Sequence, residues 1–372
     1  MSSTSESPDP GRLAAFGWSP AVNAAFASFR ADGLEPARVA VAFGATFRVI
    51  AHDGEMLADV AGRLKHQAGG RRDLPAVGDW IALKRSTIEG GRASIQAILP
   101  RTSVFSRKVA GDTTAEQIVA ANVDIAFLVT GLDDDFNPRR IERYLAMTWE
   151  SGARPVILLN KADVADELDD KMQEMAGVAI GVPVHLISAR DGRGVDALEP
   201  YLTAGHTIAV LGSSGVGKST FNNRHLGEYS LRTQEVRASD SRGRHTTTHR
   251  ELVPLPGGAV LVDTPGMREL QLWSADSGLT ETFDDISALG ADCYFTDCKH
   301  DSEPRCAVKA AVADGRLSAE RLENFHKLGR EQAMLAARQD ALAQQLAKKQ
   351  LRTQFRAFRR ETQNRPKGKG RS

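Results

Sequence analysis

Hydrophobic positions change period twice along the chain. Residues 12–32 (RLAAFGWSPAVNAAFASFRAD) carry apolar groups at helical spacing and read as a short amphipathic lead-in. From Arg38 the pattern alternates: RVAVAFGATFRVI, the turn HDG, EMLADVAGRL, AVGDWIALKR, the turn EGG, and RASIQAILPRTSVFSR. Short strands separated by Gly-containing turns predict a small β-barrel over residues 37–108. Its size suits an oligonucleotide-binding (OB) fold, with an SH3-like barrel as the alternative. From Asn122 the pattern becomes one of short apolar runs: VDIAFLVT, PVILLN, PVHLIS, TIAVLG and AVLVD. Helical segments such as NPRRIERYLAMTWESG and ADELDDKMQEMAG lie between most of them. Buried strands alternating with helices predict an α/β core, residues 109–272, with a parallel sheet covered on both faces. Residues 273–372 read as helical, cysteine-containing and finally basic, and residues 1–36 as a disordered tail followed by the lead-in.

Composition narrows the class. The chain has 372 residues, 41% hydrophobic and 26% charged, as expected for a soluble globular protein. Three cysteines, an odd number, argue against a disulfide framework. No apolar run approaches the ~20 residues of a membrane span, and MSSTSESPDPG does not read as a signal peptide. A reducing, cytoplasmic setting is expected, with no membrane partner.

GSSGVGKST, Gly212 to Thr220, fits the phosphate-binding pattern G-x-x-x-x-G-K-[ST] at every fixed position. Gly212, Ser213, Ser214, Gly215, Val216 and Gly217 would curl their amides around phosphates. Lys218 would reach the β- and γ-phosphates, the Ser219 hydroxyl would ligate Mg²⁺, and Thr220 would continue into a helix whose N-terminus faces the anion. DTPG follows the run AVLVD, so Asp263 would hold the metal's hydration shell and the Gly266 amide would sense the γ-phosphate. NKAD follows PVILL. A carboxylate at Asp163 would accept the two donors that guanine presents and adenine lacks, with Lys161 over the base and Asn160 and Ala162 shaping the loop. Ser188 and Ala189 follow VPVHL, with the Ala189 amide aimed at the guanine carbonyl. Each motif occurs once, yet the base-reading pair precedes the phosphate loop. One circularly permuted P-loop GTPase core supplies one complete site, whereas two half-domains would supply none.

SRGRHTTTHR lies where a mobile switch is expected. Thr246 or Thr247 would close on Mg²⁺ and the γ-phosphate. The residue after the DTPG glycine is Met267, which cannot orient water, so His245 and His249 stand as candidates for that task.

All three cysteines fall within CYFTDCKHDSEPRC. Cys293, Cys298, His300 and Cys306 form a donor set suited to one tetrahedral, structural Zn²⁺. The last stretch, QLRTQFRAFRRETQNRPKGKGR, interleaves Phe355 and Phe358 with cations. It reads either as an RNA-binding element or as a solvated tail.

The order NKAD, SAR, GSSGVGKS, GRHTTT, DTPG and CYFTDCKHDSEPRC, with VGDW in the barrel, resembles the bacterial ribosome small-subunit-dependent GTPase A family. The resemblance implies an OB-like barrel, a permuted GTPase and a helical zinc-binding domain. It further implies GTP/GDP, magnesium and zinc as cofactors, late maturation of the small (30S) ribosomal subunit, contact with 16S rRNA, and turnover stimulated by the subunit. A monomer is expected. Two other readings stand beside it: an RNA-binding regulator that holds GTP as a structural clamp, and an ATP-dependent enzyme with a mimic of the base motif.

Overall fold

The alternating segment closes on itself. In the computed structural model, which describes residues 11–88, 90–108, 116–226, 251–263, 276–337 and 341, five strands form a barrel. They are β1 (Glu35–Phe43), β2 (Thr46–Ile50), β3 (Glu55–Val60), β4 (Trp80–Lys84) and β5 (Ala93–Ile98). β1, β2 and β3 run antiparallel, β3 lies parallel to β5, β5 pairs with β4, and β4 returns to β1. Ala37, Val39, Phe47, Val49, Ile81, Leu83 and Ile95 fill the interior. This is the five-stranded Greek-key barrel of the OB type, not an SH3-like one. The lead-in forms a 3₁₀ turn (Gly11–Phe16) and helix α1 (Pro20–Ala31), capped by Ser19. Helix α2 (Gly62–Gln67) connects β3 to β4.

The segment after β5 departs from the expected barrel. β6 (Val104–Lys108) pairs with β7 (Glu116–Ala121) as a separate two-stranded ribbon. Gly78 explains how the ribbon docks. It has φ +94°, and a Cβ there would lie 2.1 Å from the Ala121 carbonyl oxygen, so only glycine permits the approach.

The apolar runs form the predicted sheet. β8 (Ile125–Gly131), β9 (Arg154–Asn160), β10 (Val184–Leu186), β11 (Thr207–Gly212) and β13 (Val260–Asp263) are parallel, in the order β10-β9-β8-β11-β13. β12 (Glu251–Pro254) adds an antiparallel strand beside β13 and meets β1 through Val41 and Glu251. Barrel and core therefore share one continuous sheet, fastened there by an Arg48–Glu251 ion pair. Helices α3 (Pro138–Ser151), α4 (Leu168–Ala176) and α5 (Lys218–Leu226) follow β8, β9 and β11. Asn137 caps α3, its side chain accepting the Arg140 amide at 2.9 Å.

The C-terminal helices are α6 (Asp276–Thr282), α7 (Asp284–Gly290), α8 (Ala307–Ala313) and α9 (319–337). They dock on α3. A Cβ at Gly278 would lie 2.3 Å from the Ala146 carbonyl oxygen, so α6 and α3 touch backbone to backbone. Glu142, fully buried on α3, accepts from Arg139 and Arg321, each at 2.7 Å, and from Asn324. Arg321 also forks onto Asp285 at 2.7 and 2.8 Å and stacks on Phe283. A buried carboxylate thus finds the cations and donors it needs across the module boundary.

Arg38 plays the matching role at the other boundary. It is 1% exposed and lies over Trp80. It donates to the Phe16 and Asn122 carbonyls, to Gly78 O at 3.2 Å and to Thr207 Oγ1 at 2.8 Å. Lead-in, barrel, ribbon exit and core strand converge on one guanidinium. Burial lowers its pKa to about 10 against the pull of Asp124 and Asp79, so it stays charged at neutral pH. Arg38→Ala strips these acceptors of their donor and is expected to cost about 3 kcal/mol or more. Urea unfolding measures it, and an unchanged midpoint would contradict the role.

Candidate functional site

Strand order sets the position of the site. After β8 the chain builds β9 and β10 on one side, then returns to place β11 and β13 on the other. In open α/β sheets such a reversal leaves a crevice beyond the carboxyl ends of the strands, where ligands bind. The residues at or just past those ends are Gly131, Asn160, Ser188, Gly212 and Asp263. Four of the five belong to motifs singled out in the sequence.

The phosphate loop leaves β11 and enters α5 at Lys218. A Cβ at Gly212 would lie 2.5 Å from Val129 O, and one at Gly217 would lie 2.3 Å from Asn160 Nδ2. Gly217 also has φ +96°. Both glycines are thus imposed by neighbours as well as by curvature. Ser214, Gly215, Ser219 and Thr220 are exposed and Val216 is buried beneath them. The Lys218 ammonium crosses the loop, donating to Gly212 O at 2.7 Å and to Ser213 O. This places one cation beside a glycine-rich loop at a helix N-terminus, an arrangement complementary to polyphosphate.

Asn160 joins this loop to the other two. It is buried, donates from Nδ2 to Val216 O at 2.7 Å, and accepts at Oδ1 from the Ala189 amide at 2.9 Å. Asp163 is braced by Ser188, whose hydroxyl donates to Oδ1 at 2.8 Å. Arg190 lies 3.8 Å from its other oxygen. Ala162 N–H donates to Ile187 O. The Ala189 N–H, expected from the sequence to face a base carbonyl, donates here to the Asn160 carboxamide oxygen.

An acidic loop after β8, not singled out in the sequence, completes the rim. Lys161, with φ +68°, pairs with Asp133 at 2.5 Å. Burial opposes ionisation of Asp133, but the Lys161 ammonium and the Asp135 amide hold its carboxyl below the usual range. Asp135 accepts the Ser213 hydroxyl at 2.5 Å and pairs with Arg140 at 2.6 Å, and Arg140 reaches Ser213 Oγ at 2.8 Å. The available signal was an acidic triplet, Asp133–Asp135, at the end of a fully buried strand and just before an Asn-Pro helix start.

The cysteine module is a second, separate centre. One donor atom each from Cys293, Cys298, His300 and Cys306 lies within 4.8 Å of every other. Cys293 Sγ and Cys306 Sγ are 3.8 Å apart, and His300 Nδ1 lies 3.6 and 3.5 Å from them. A tetrahedron with Zn–S ~2.3 Å and Zn–N ~2.0–2.1 Å has edges of about 3.8 Å and 3.6 Å, so the donor set fits zinc. The Lys309 amide at the start of α8 donates to Cys306 Sγ at 3.4 Å, which fixes the direction of that side chain. His300 has φ +62°, and Glu303 braces its turn by accepting the Lys299, Asp301 and Ser302 amides at 3.0–3.1 Å. Its own amide foremost, then these, hold the Glu303 carboxyl at about 2.

His245, Thr246, Thr247, His249 and Gly266 lie outside the described residues, as do the basic residues of the C-terminal stretch; of Asp263 only the backbone is described. Among described residues no helix is long and apolar enough to cross a membrane.

Comparison with known proteins agrees with this geometry. The family model for RsgA GTPase matches residues 98–273. The small ribosomal subunit biogenesis GTPase RsgA of Opitutus terrae is 47% identical over 336 residues, covering 88% of this chain and 92% of that protein. The protein of the same name from Syntrophotalea carbinolica is 44% identical over 358 residues, covering 93% and 97%. The crystal structure of YjeQ from Thermotoga maritima superposes with a TM-score of 0.59 at 26% identity, over 81% of this chain and 99% of that one. YloQ, described as a circularly permuted GTPase, gives 0.57 at 25% identity, over 82% and 96%. With its base-reading motifs upstream of its phosphate loop on one sheet, this chain belongs to the RsgA GTPase family and is a GTP-hydrolysing enzyme.

Proposed function

We propose that the enzyme acts in biogenesis of the small ribosomal subunit, binding the 30S particle and its 16S rRNA and hydrolysing GTP to GDP and phosphate under the particle's stimulation. The observation that carries the nucleotide site is the Asn160 carboxamide, which ties the Asp163 loop, the Ser188–Ala189 loop and the phosphate loop together. Guanine would lie against Asp163 and Lys161, the β- and γ-phosphates under Lys218 and the amides of 213–220, and Mg²⁺ at Ser219 with Asp263 holding its waters. Thr246 or Thr247 would close on the metal, and His245 or His249 would orient the attacking water.

The relatives' printed names support the ribosomal assignment. The barrel supports an RNA partner. A groove of about 950 Å³ runs between α1, α2 and β4–β5. Of its cations, Arg101 is bound to Asp79 and Arg72 to Glu116, whereas Arg63 and Lys84 are exposed and carry no ion pair among the described residues. Such cations attract phosphate, so binding should weaken steeply with salt. The domain division expected from the sequence, 37–108 for the barrel, 109–272 for the GTPase and 273–372 for the zinc-binding helices, is kept with one change: the barrel closes at β5, and the ribbon of residues 104–108 and 116–121 lies outside it. Zn²⁺ would be held by Cys293, Cys298, His300 and Cys306 and would act structurally, fixing a loop-rich segment that lacks a core.

Two measurements check this. GTP turnover titrated with purified small subunits is expected to rise well above the isolated rate, and His245→Ala with His249→Ala is expected to abolish the increase. Flat turnover would favour a nucleotide-clamped RNA-binding regulator instead. Metal analysis is expected to give one zinc per chain, with Cys298→Ser losing most of the metal while GDP affinity stays within about twofold, since the two centres share no ligand. Zinc retained in full by Cys298→Ser would contradict the assigned ligand set.

A further inference from the structure

Because the Ala189 amide is taken by Asn160, the loop must offer a base some other donor. The next amide is that of Arg190, and it finds no partner among the described residues. Its peptide unit is fixed from behind. Arg224, in the second turn of α5, donates from Nε to Ala189 O at 3.0 Å and from Nη2 to Arg190 O at 3.1 Å. The fork lies flat against Gly192: a Cβ there would come within 2.9 Å of Arg224 Nη1, and Gly192 has φ +95°. In a trans peptide C=O and N–H point in opposite directions. With Ala189 O turned to α5, the Arg190 N–H must turn away from it. The helix that begins at the phosphate-binding lysine therefore sets the orientation of the base-reading loop, about one and a half turns further on.

Given guanine against Asp163 as proposed above, on which this step rests, we infer that Arg224 is a positioning residue for base specificity. It holds the 189–190 peptide so that the Arg190 amide donates to the guanine O6. No part of Arg224 touches the nucleotide. Arginine suits the task because its planar fork satisfies two adjacent carbonyls at once, which a lysine ammonium does not reproduce.

The test uses the full-length protein and three ligands: GDP; IDP, which lacks the 2-amino donor; and 6-thio-GDP, which keeps both donors but replaces O6 with a poor acceptor. Wild type is expected to bind GDP about tenfold more tightly than either analogue. Arg224→Ala, at an exposed position, is expected to weaken GDP and IDP about tenfold each while barely changing 6-thio-GDP, so that only the GDP/6-thio-GDP preference disappears. Arg224→Lys is expected to behave like the alanine variant. Equal weakening of all three ligands would assign Arg224 a merely structural role and overturn the inference. Unchanged GDP affinity, or a wild type indifferent to 6-thio-GDP, would overturn it too while leaving the Asp163 pocket intact. A wild type that cannot tell GDP from IDP would instead bring down the pocket itself.

Discussion

The Asn160 carboxamide donates to Val216 O and accepts from the Ala189 amide, and through these two bonds three distant stretches of chain meet at one buried point. Burial makes the arrangement strict. A primary amide sealed from water must satisfy both its donor and its acceptor, so the phosphate loop and the Ser188–Ala189 loop are set relative to each other. Gly217 records the constraint from the opposite side, since any side chain there would strike the same Nδ2. The permutation is harmless for this reason. What a nucleotide requires is loops at adjacent strand ends, and β8, β9 and β11 provide that whichever comes first in sequence.

Permutation does change what the core is attached to. The barrel precedes β8 and shares a sheet edge with β12, while the C-terminal helices follow β13 and lean back on α3. Arg140 on α3 reaches the phosphate loop through Asp135 and Ser213. Arg139, Glu142 and Arg143 turn the other way, to Glu320, Arg321 and Glu331. A single helix thus touches the phosphate loop and the C-terminal helices through different residues.

Much of the core was legible because its physics is local. Short, predominantly apolar runs of five to eight residues, separated by helical segments, fit strands of a covered parallel sheet, and each motif sits where such a run ends. The barrel was legible from alternation, but its limit was not: residues 104–108 alternate as barrel strands do, yet pair with 116–121 because Gly78 opens a berth for that ribbon. β12 is four residues long and ends in proline, too short to stand out. The buried ions were least legible. Arg38 looks like a surface residue on an alternating strand, and Glu142 like the polar face of a helix. Their partners lie up to 169 and 182 positions away, and nothing local announces them. The cysteine cluster was readable from spacing alone because its whole donor set comes from one loop.

The central claim is that one nucleotide bridges the loop at Asp163 and the loop at Lys218. Its most direct measurement is triphosphate turnover by Asp163→Asn, alone and combined with Lys218→Ala. The account predicts that Asp163→Asn exchanges GTP for XTP as the preferred substrate, and that adding Lys218→Ala abolishes turnover of the xanthine nucleotide. Retained guanine preference in the first variant, or undiminished XTP turnover in the second, would contradict it.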